Sequence, residues 1–221
     1  MSTYTWRNRL QVDLPMRMAQ HDPVNGKTLN VGRGGSTLDA DFGAGAAEPT
    51  KLDYRRGYSF DGSDYLEVAL DVTAWTAISI LMTFDGVDNA FHRMASLLHS
   101  GGDDIRIFWD NTPELIVTTD DGAMNTVTVT NGNGAGIHTV GLIFDGTTLF
   151  GYLDGVQRGS DNSNDFDFSG AAGTLTFGSF SGGGSAWYTG NILHSCAADF
   201  AMTPTQVAAY DIEMKRRINK I

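Results

Sequence analysis

Cysteine, glutamate and cationic side chains are all scarce in this chain of 221 residues. Cysteine occurs once, at Cys196, so no intrachain disulfide can form. Only four of the 26 acidic residues are glutamate (Glu48, Glu67, Glu114 and Glu213). The rest are aspartate, which favours turns and loops where glutamate favours helices. Lysine and arginine total 15, leaving a formal net charge of −11. That balance argues against a nucleic-acid partner, because phosphate binding needs clustered cations. No apolar run approaches membrane length, and the residues after Met1 open no charged-then-apolar export segment. The expectation is a soluble chain made in the cytoplasm, with no membrane insertion.

What is abundant is glycine, 27 residues, set between apolar runs as many strands with tight turns require. Residues 136–156, GIHTVGLIFDGTTLFGYLDGV, organise the rest. Val140, Leu142 and Phe144 alternate with Thr139, Gly141 and Ile143. After Asp145-Gly146, Leu149, Gly151 and Leu153 alternate with Phe150 and Tyr152, and Asp154-Gly155 closes the run. Two period-2 runs joined by a short Asp-Gly loop predict a β-hairpin. Both of its faces are largely apolar, so it belongs inside a two-layer structure rather than at an edge.

About twelve strands can be placed in this way, at spacings typical of a sandwich or barrel. Residues 11–18 alternate, with Pro15 demoting them to an outer strand, and residues 160–164 read as a polar loop. One helix is predicted, over 204–218. Thr203 is its hydroxyl cap, Pro204 fills the first turn, Gln206 completes a capping box, and Lys215, Arg216 and Arg217 suit its C-terminal end. Its apolar stripe of Val207, Tyr210, Met214 and Ile218 is expected to cover a sheet edge or the end of the sandwich. Residues 1–9 show no period and are read as an N-terminal arm. Residues 10–221 form a single domain.

Residues 58–68 (YSFDGSDYLEV), the strand around Trp75, the central hairpin, 175–180 (LTFGSF) and 188–210 (YTGNILHSCAADFAMTPTQVAAY) together carry a resemblance. In that order they resemble the laminin-G-like branch of the concanavalin A-like lectin/glucanase superfamily, of the kind found in bacteriophage structural proteins. The likeness covers about residues 10–215. It implies an all-β jelly-roll sandwich of two antiparallel sheets with one C-terminal helix. Its motifs are glycines and turns, so they speak for fold and hardly for function. His138 departs from the pattern, standing where the family often has Trp. So does Cys196-Ala197-Ala198-Asp199, which replaces an acidic-hydrophobic strand.

Glycoside hydrolysis on this fold needs carboxylates spaced along one strand, as in Glu-x-Asp-x-Glu, and no glutamate here has such neighbours. Asp165-Phe166-Asp167 has the spacing but lies in a polar stretch without a third carboxylate. A lyase would need a Tyr or His base, for which His138 and Tyr152 are the candidates. His92, His99 and His194 show no metal spacing. The resemblance implies calcium, held at the sandwich rim by loop aspartates, for which Asp103 with Asp104 and Asp120 with Asp121 are the candidates. The same residues also suit plain turns. A sugar platform would use Trp109 beside Asp110 and Asn111, or Trp187 with Tyr188, positions that equally suit core aromatics.

The expectation is a non-enzymatic structural or adhesive virion protein of a bacteriophage, a capsid decoration or tail component. Its expected partners are other virion proteins, further copies of itself as a homo-oligomer, and a cell-surface glycan. The N-terminal arm (Tyr4, Trp6, Arg7 and Arg9) and the C-terminal helix are the expected contact elements. The alternatives are a carbohydrate-binding module of a secreted, extracellular protein and, behind it, a polysaccharide lyase or glucanase.

Overall fold

The structure, a computed structural model, describes residues 9–14, 21–22, 27–28, 32–33, 38, 40–42, 49–52, 57–86, 91–98, 104–111, 114–120, 122, 124–130, 136–162, 166, 168, 173–180 and 186–219. In chain order the strands are β1 (Val12–Leu14), β2 (His21–Asp22), β3 (Lys27–Thr28), β4 (Ala40–Phe42), β5 (Thr50–Lys51), β6 (Tyr58–Asp61), β7 (Leu66–Leu70), β8 (Ile78–Asp85) and β9 (His92–Leu98). Then come β10 (Asp104–Trp109), β11 (Leu115–Asp120), β12 (Met124–Thr130), β13 (Ile137–Phe144), β14 (Leu149–Leu153), β15 (Val156–Asp161), β16 (Gly173–Phe177), β17 (Thr189–Ala198) and the helix α1 (Pro204–Ile218).

They make two antiparallel sheets. The first runs β15-β14-β13-β8-β17-β6-β5, with β1 alongside the lower half of β17; the second runs β12-β11-β10-β9-β16-β7-β4-β3-β2. This is the all-β sandwich with a C-terminal helix that the sequence predicts. The core between the sheets follows from the alternation. Val140, Leu142, Phe144, Leu149 and Leu153 of the central hairpin face Ile105, Ile107, Trp109, Val117 and Leu175 of the second sheet. The sheets approach closely at Gly151, where a β-carbon would stand 2.4 Å from Val129 Cγ1, so no side chain fits there. The hairpin turn is tied by Asp145, whose Oδ1 accepts from the amides of Thr147 (2.9 Å) and Thr148 (2.8 Å).

Two strand-level differences stand out. Asp154 (φ +53) and Gly155 (φ +75) form a two-residue turn into a further strand, β15, whose polar and exposed VQRGSD lacks the apolar alternation that marks a strand. Beyond it, Phe166 and Phe168 are buried against Phe144, with ring centroids 5.9 and 6.0 Å away. Asp165 and Asp167 lie outside the described residues.

The helix does not cover an edge or an end. It lies on the outer face of the first sheet, where Val207, Tyr210 and Met214 join Leu10, Leu81, Ile143, Tyr152 and Cys196 in a second apolar cluster. This is why both faces of the central hairpin are apolar: one fills the sandwich and the other seats the helix. At the helix start, Ser79 Oγ donates to Phe200 O (2.7 Å) and accepts from Met202 N (2.9 Å), and the predicted capping box between Thr203 and Gln206 is present. Beneath its middle, the Tyr210 hydroxyl lies 2.7 Å from His194 Nδ1, and His194 Nε2 lies 2.8 Å from Asp13 Oδ1. All three groups are buried. No helix among the described residues is long and apolar enough to cross a membrane.

Candidate functional site

Because Ile105 and Ile107 of β10 face the core, Asp104, Arg106 and Phe108 are turned to the outer face of the second sheet. Cross-strand pairing sets Glu67, Thr176, Ser96, Arg106 and Thr118 in one row across β7, β16, β9, β10 and β11. Arg106 bridges two carboxylates: its Nε contacts Asp104 Oδ1, and its Nη2 lies 2.7 Å from Asp120 Oδ2. Arg93 reaches over from β9 to place Nη1 3.2 Å from Asp104 Oδ2. Asp104 is 1% exposed. Burial pushes its carboxyl above the ordinary carboxylate range while Arg106 and Arg93 pull it back; burial likewise draws the Arg93 guanidinium down. Ion pairs on both oxygens offset part of the cost of burying this group.

Aromatic rings frame the network. The Arg93 guanidinium sits 4.2 Å from the Phe180 ring centroid and 6.0 Å from that of Phe91, within cation–π range. Phe91 packs at a tilt on Phe108, 5.3 Å between centroids, and is 42% exposed. Asn111 Oδ1 accepts from the Phe91 amide at 3.1 Å. Ser96 Oγ and Thr176 Oγ1, paired neighbours in the row, are buried and have no hydrogen-bond partner among the described residues. The hydroxyls are sealed from solvent, so what the surface offers a polyhydroxylated ligand is an exposed ring for an apolar face and a guanidinium beside it.

The residues nominated from sequence divide. Trp109 is a core side chain, 2% exposed and edge-on to Phe84 at 6.1 Å, so it offers no platform. Asp110 Oδ1 accepts from the Glu114 amide at 2.9 Å and shapes the loop; of that trio only Asn111 reaches the site. Tyr188 is buried, with its ring centroid 6.3 Å from that of Phe60. Trp187 is half-buried against Tyr65 at 5.6 Å. Asp104 and Asp120 are in the site, but as partners of Arg93 and Arg106, whose positive charge repels a calcium ion from the same oxygens. Among the described residues no group of three acidic, His or Cys side chains is placed to hold a metal. Asp103, Asp121, Tyr4, Trp6 and Arg7 lie outside the described residues. Arg9 is seated on the Phe200 ring, 3.9 Å from its centroid. His138 and Tyr152 do not meet. His138 Nδ1 donates to Asp154 Oδ2 at 2.9 Å beside Phe84, whereas Tyr152 belongs to the cluster under the helix.

Phe91, Arg93 and Phe180 were not legible as a site. The alternation of DIRIFW marks Asp104, Arg106 and Phe108 as outward-facing, but a bulge between Ile107 and Phe108 decides that Arg93 lies across from Phe108.

No protein-family model matches the chain, and no curated protein matches it in sequence. Solved structures do. Domain 4 of AbnA, a GH43 extracellular arabinanase from Geobacillus stearothermophilus solved in complex with arabinotriose, superposes with a TM-score of 0.66 at 13% identity, over 91% of this chain and 97% of that one. The receptor binding domain of botulinum neurotoxin mosaic serotype C/D gives 0.66 at 10% identity, over 95% of this chain and 52% of that one. A heptameric SAP-like pentraxin from Limulus polyphemus gives 0.53 at 14%, over 69% and 80%. At these identities the likeness is one of fold: this chain is a jelly-roll sandwich of the same architecture.

Proposed function

We propose that this protein is a non-catalytic adhesive module that binds glycan on the outer face of its second sheet. The observation that carries the proposal is the exposed Phe91 ring beside the Arg93 guanidinium. A sugar ring laid on Phe91 would offer its hydroxyls to Arg93, Asn111 and Asp120. The shared fold with an arabinanase domain holding arabinotriose supports this reading. The non-catalytic part is supported by the separation of His138 from Tyr152 and by the double pairing of Asp104. A place on a bacteriophage virion, among other virion proteins or copies of itself, is supported by the laminin-G-like resemblance alone.

A glycan array probed with the full chain, with and without chelator, tests the binding. The expected result is a defined set of bound glycans, unaffected by chelator, with F91A weakening binding about tenfold or more and leaving the melting temperature unchanged. V156A, on the edge of the other sheet, is expected to bind as the parent does. No bound glycan, or equal binding by F91A, would refute the site. Sedimentation of the native protein with virus-sized particles from a lysate of its source tests the virion setting independently.

A further inference from the structure

A second recess lies on the opposite sheet, at the end of the helix. Its floor is a cross-strand row of β13, β8 and β17, in which Asp85 pairs with Ile137 on one side and Asn191 on the other. The helix end, Ile218 and Asn219, forms one wall, and the cavity measures about 300 Å³. The geometry explains why it exists. The helix starts over Ser79, at one end of β8, and its last turn reaches Asp85 at the other end, where its apolar stripe stops short of sealing the sheet.

The chemistry of the recess is of one sign. Asp85 supplies a carboxylate and Asn191 an amide oxygen, both half-buried, and neither side chain has a hydrogen bond or ion pair among the described residues. The helix C-terminus adds carbonyl oxygens and the negative pole of its dipole. Two of the three basic side chains of the last turn are engaged elsewhere: Lys215 is held by Asp154 and Asp211, and Arg217 by Glu213. Leu52 and Leu193 complete the walls with apolar surface.

We infer that this recess binds a small primary amine. An ammonium group has three donors in a compact head, and the recess offers three kinds of acceptor: the Asp85 carboxylate, the Asn191 amide oxygen and a helix-end carbonyl. The ligand's short hydrocarbon body then lies against Leu52, Ile137 and Leu193. A lone carboxylate with amide and carbonyl oxygens is too few ligands for calcium, whereas it suits an organic cation. The inference does not rest on the glycan reading, which concerns the other sheet.

The test is an NMR titration of the full chain with n-butylamine and, as its uncharged counterpart, 1-butanol. Butylamine is expected to shift the amides around Asp85, Asn191 and Asn219, and butanol to bind about tenfold more weakly or worse. The isosteric D85N should lose about tenfold in butylamine affinity, and N191D should gain. Equal binding of butanol would make the recess merely apolar. Failure of butylamine to shift these amides, unchanged affinity in D85N, or no gain in N191D would each overturn the inference. If D85N does not fold, the N191D result decides alone.

Discussion

Asp154 shows how much one side chain joins. It sits in the left-handed turn between β14 and β15, yet its Oδ1 accepts from Lys215 Nζ (2.8 Å) on the helix and from the Thr139 amide (3.1 Å), and its Oδ2 from His138 (2.9 Å). Burial alone would raise its pKa; the bonds from Lys215, His138 and Thr139 outweigh burial and hold it below 3.8. A carboxylate held low in the folded state contributes stability above its unfolded value, and loses it as pH falls through the folded one. D154N should therefore cost roughly 1–2 kcal/mol at pH 7, toward the low side for a partly exposed group. Urea unfolding at pH 7 and pH 3 checks this: the gap between parent and variant should shrink at pH 3, and a constant gap would mean that the charge is not involved. Asp104 has the opposite sign, since burial raises its pKa, and it opposes this acid loss.

At the level of elements, the helix is docked by polar contacts at its start and middle and by apolar ones along its length. Ser79 Oγ serves a carbonyl and an amide at once, in a buried place, whereas the Thr203 cap is exposed. S79A should accordingly cost roughly 1–3 kcal/mol, against about 1 kcal/mol for T203A. Thermal unfolding of both variants checks the order; a larger loss in T203A would place the helix's anchorage in its cap rather than in the sheet beneath it. The capping box was readable because it is local, four residues in a row. The docking face was not, because Ser79, Leu81, Ile143 and Cys196 come together only through strand pairing.

Across the whole molecule, the first sheet serves two cores, the sandwich on one face and the helix cluster on the other. Strands β8, β13 and β17 contribute to both, so the two should melt together. The tryptophan bands of near-ultraviolet circular dichroism report the sandwich, through the buried Trp109. The thiol reactivity of Cys196, 0% exposed beneath the helix, reports the other layer. Their denaturant midpoints are expected to coincide. Thiol exposure at lower denaturant would show that the helix undocks as a unit of its own.

The sequence by itself determined the elements whose cause is local: the alternating hairpin of residues 136–156, the Asp-Gly turns, the capped helix, and through them the two-layer β fold. The tertiary structure alone decided what lies against what. It sent Trp109 and Tyr188 inward, paired Asp104 with Arg93 and Arg106 instead of leaving it to a cation, and assembled Phe91, Arg93 and Phe180 from separate stretches of chain. The reason is physical. A period of two tells which residues share a face of one strand, whereas partner, register and bulge depend on strands far apart in the chain.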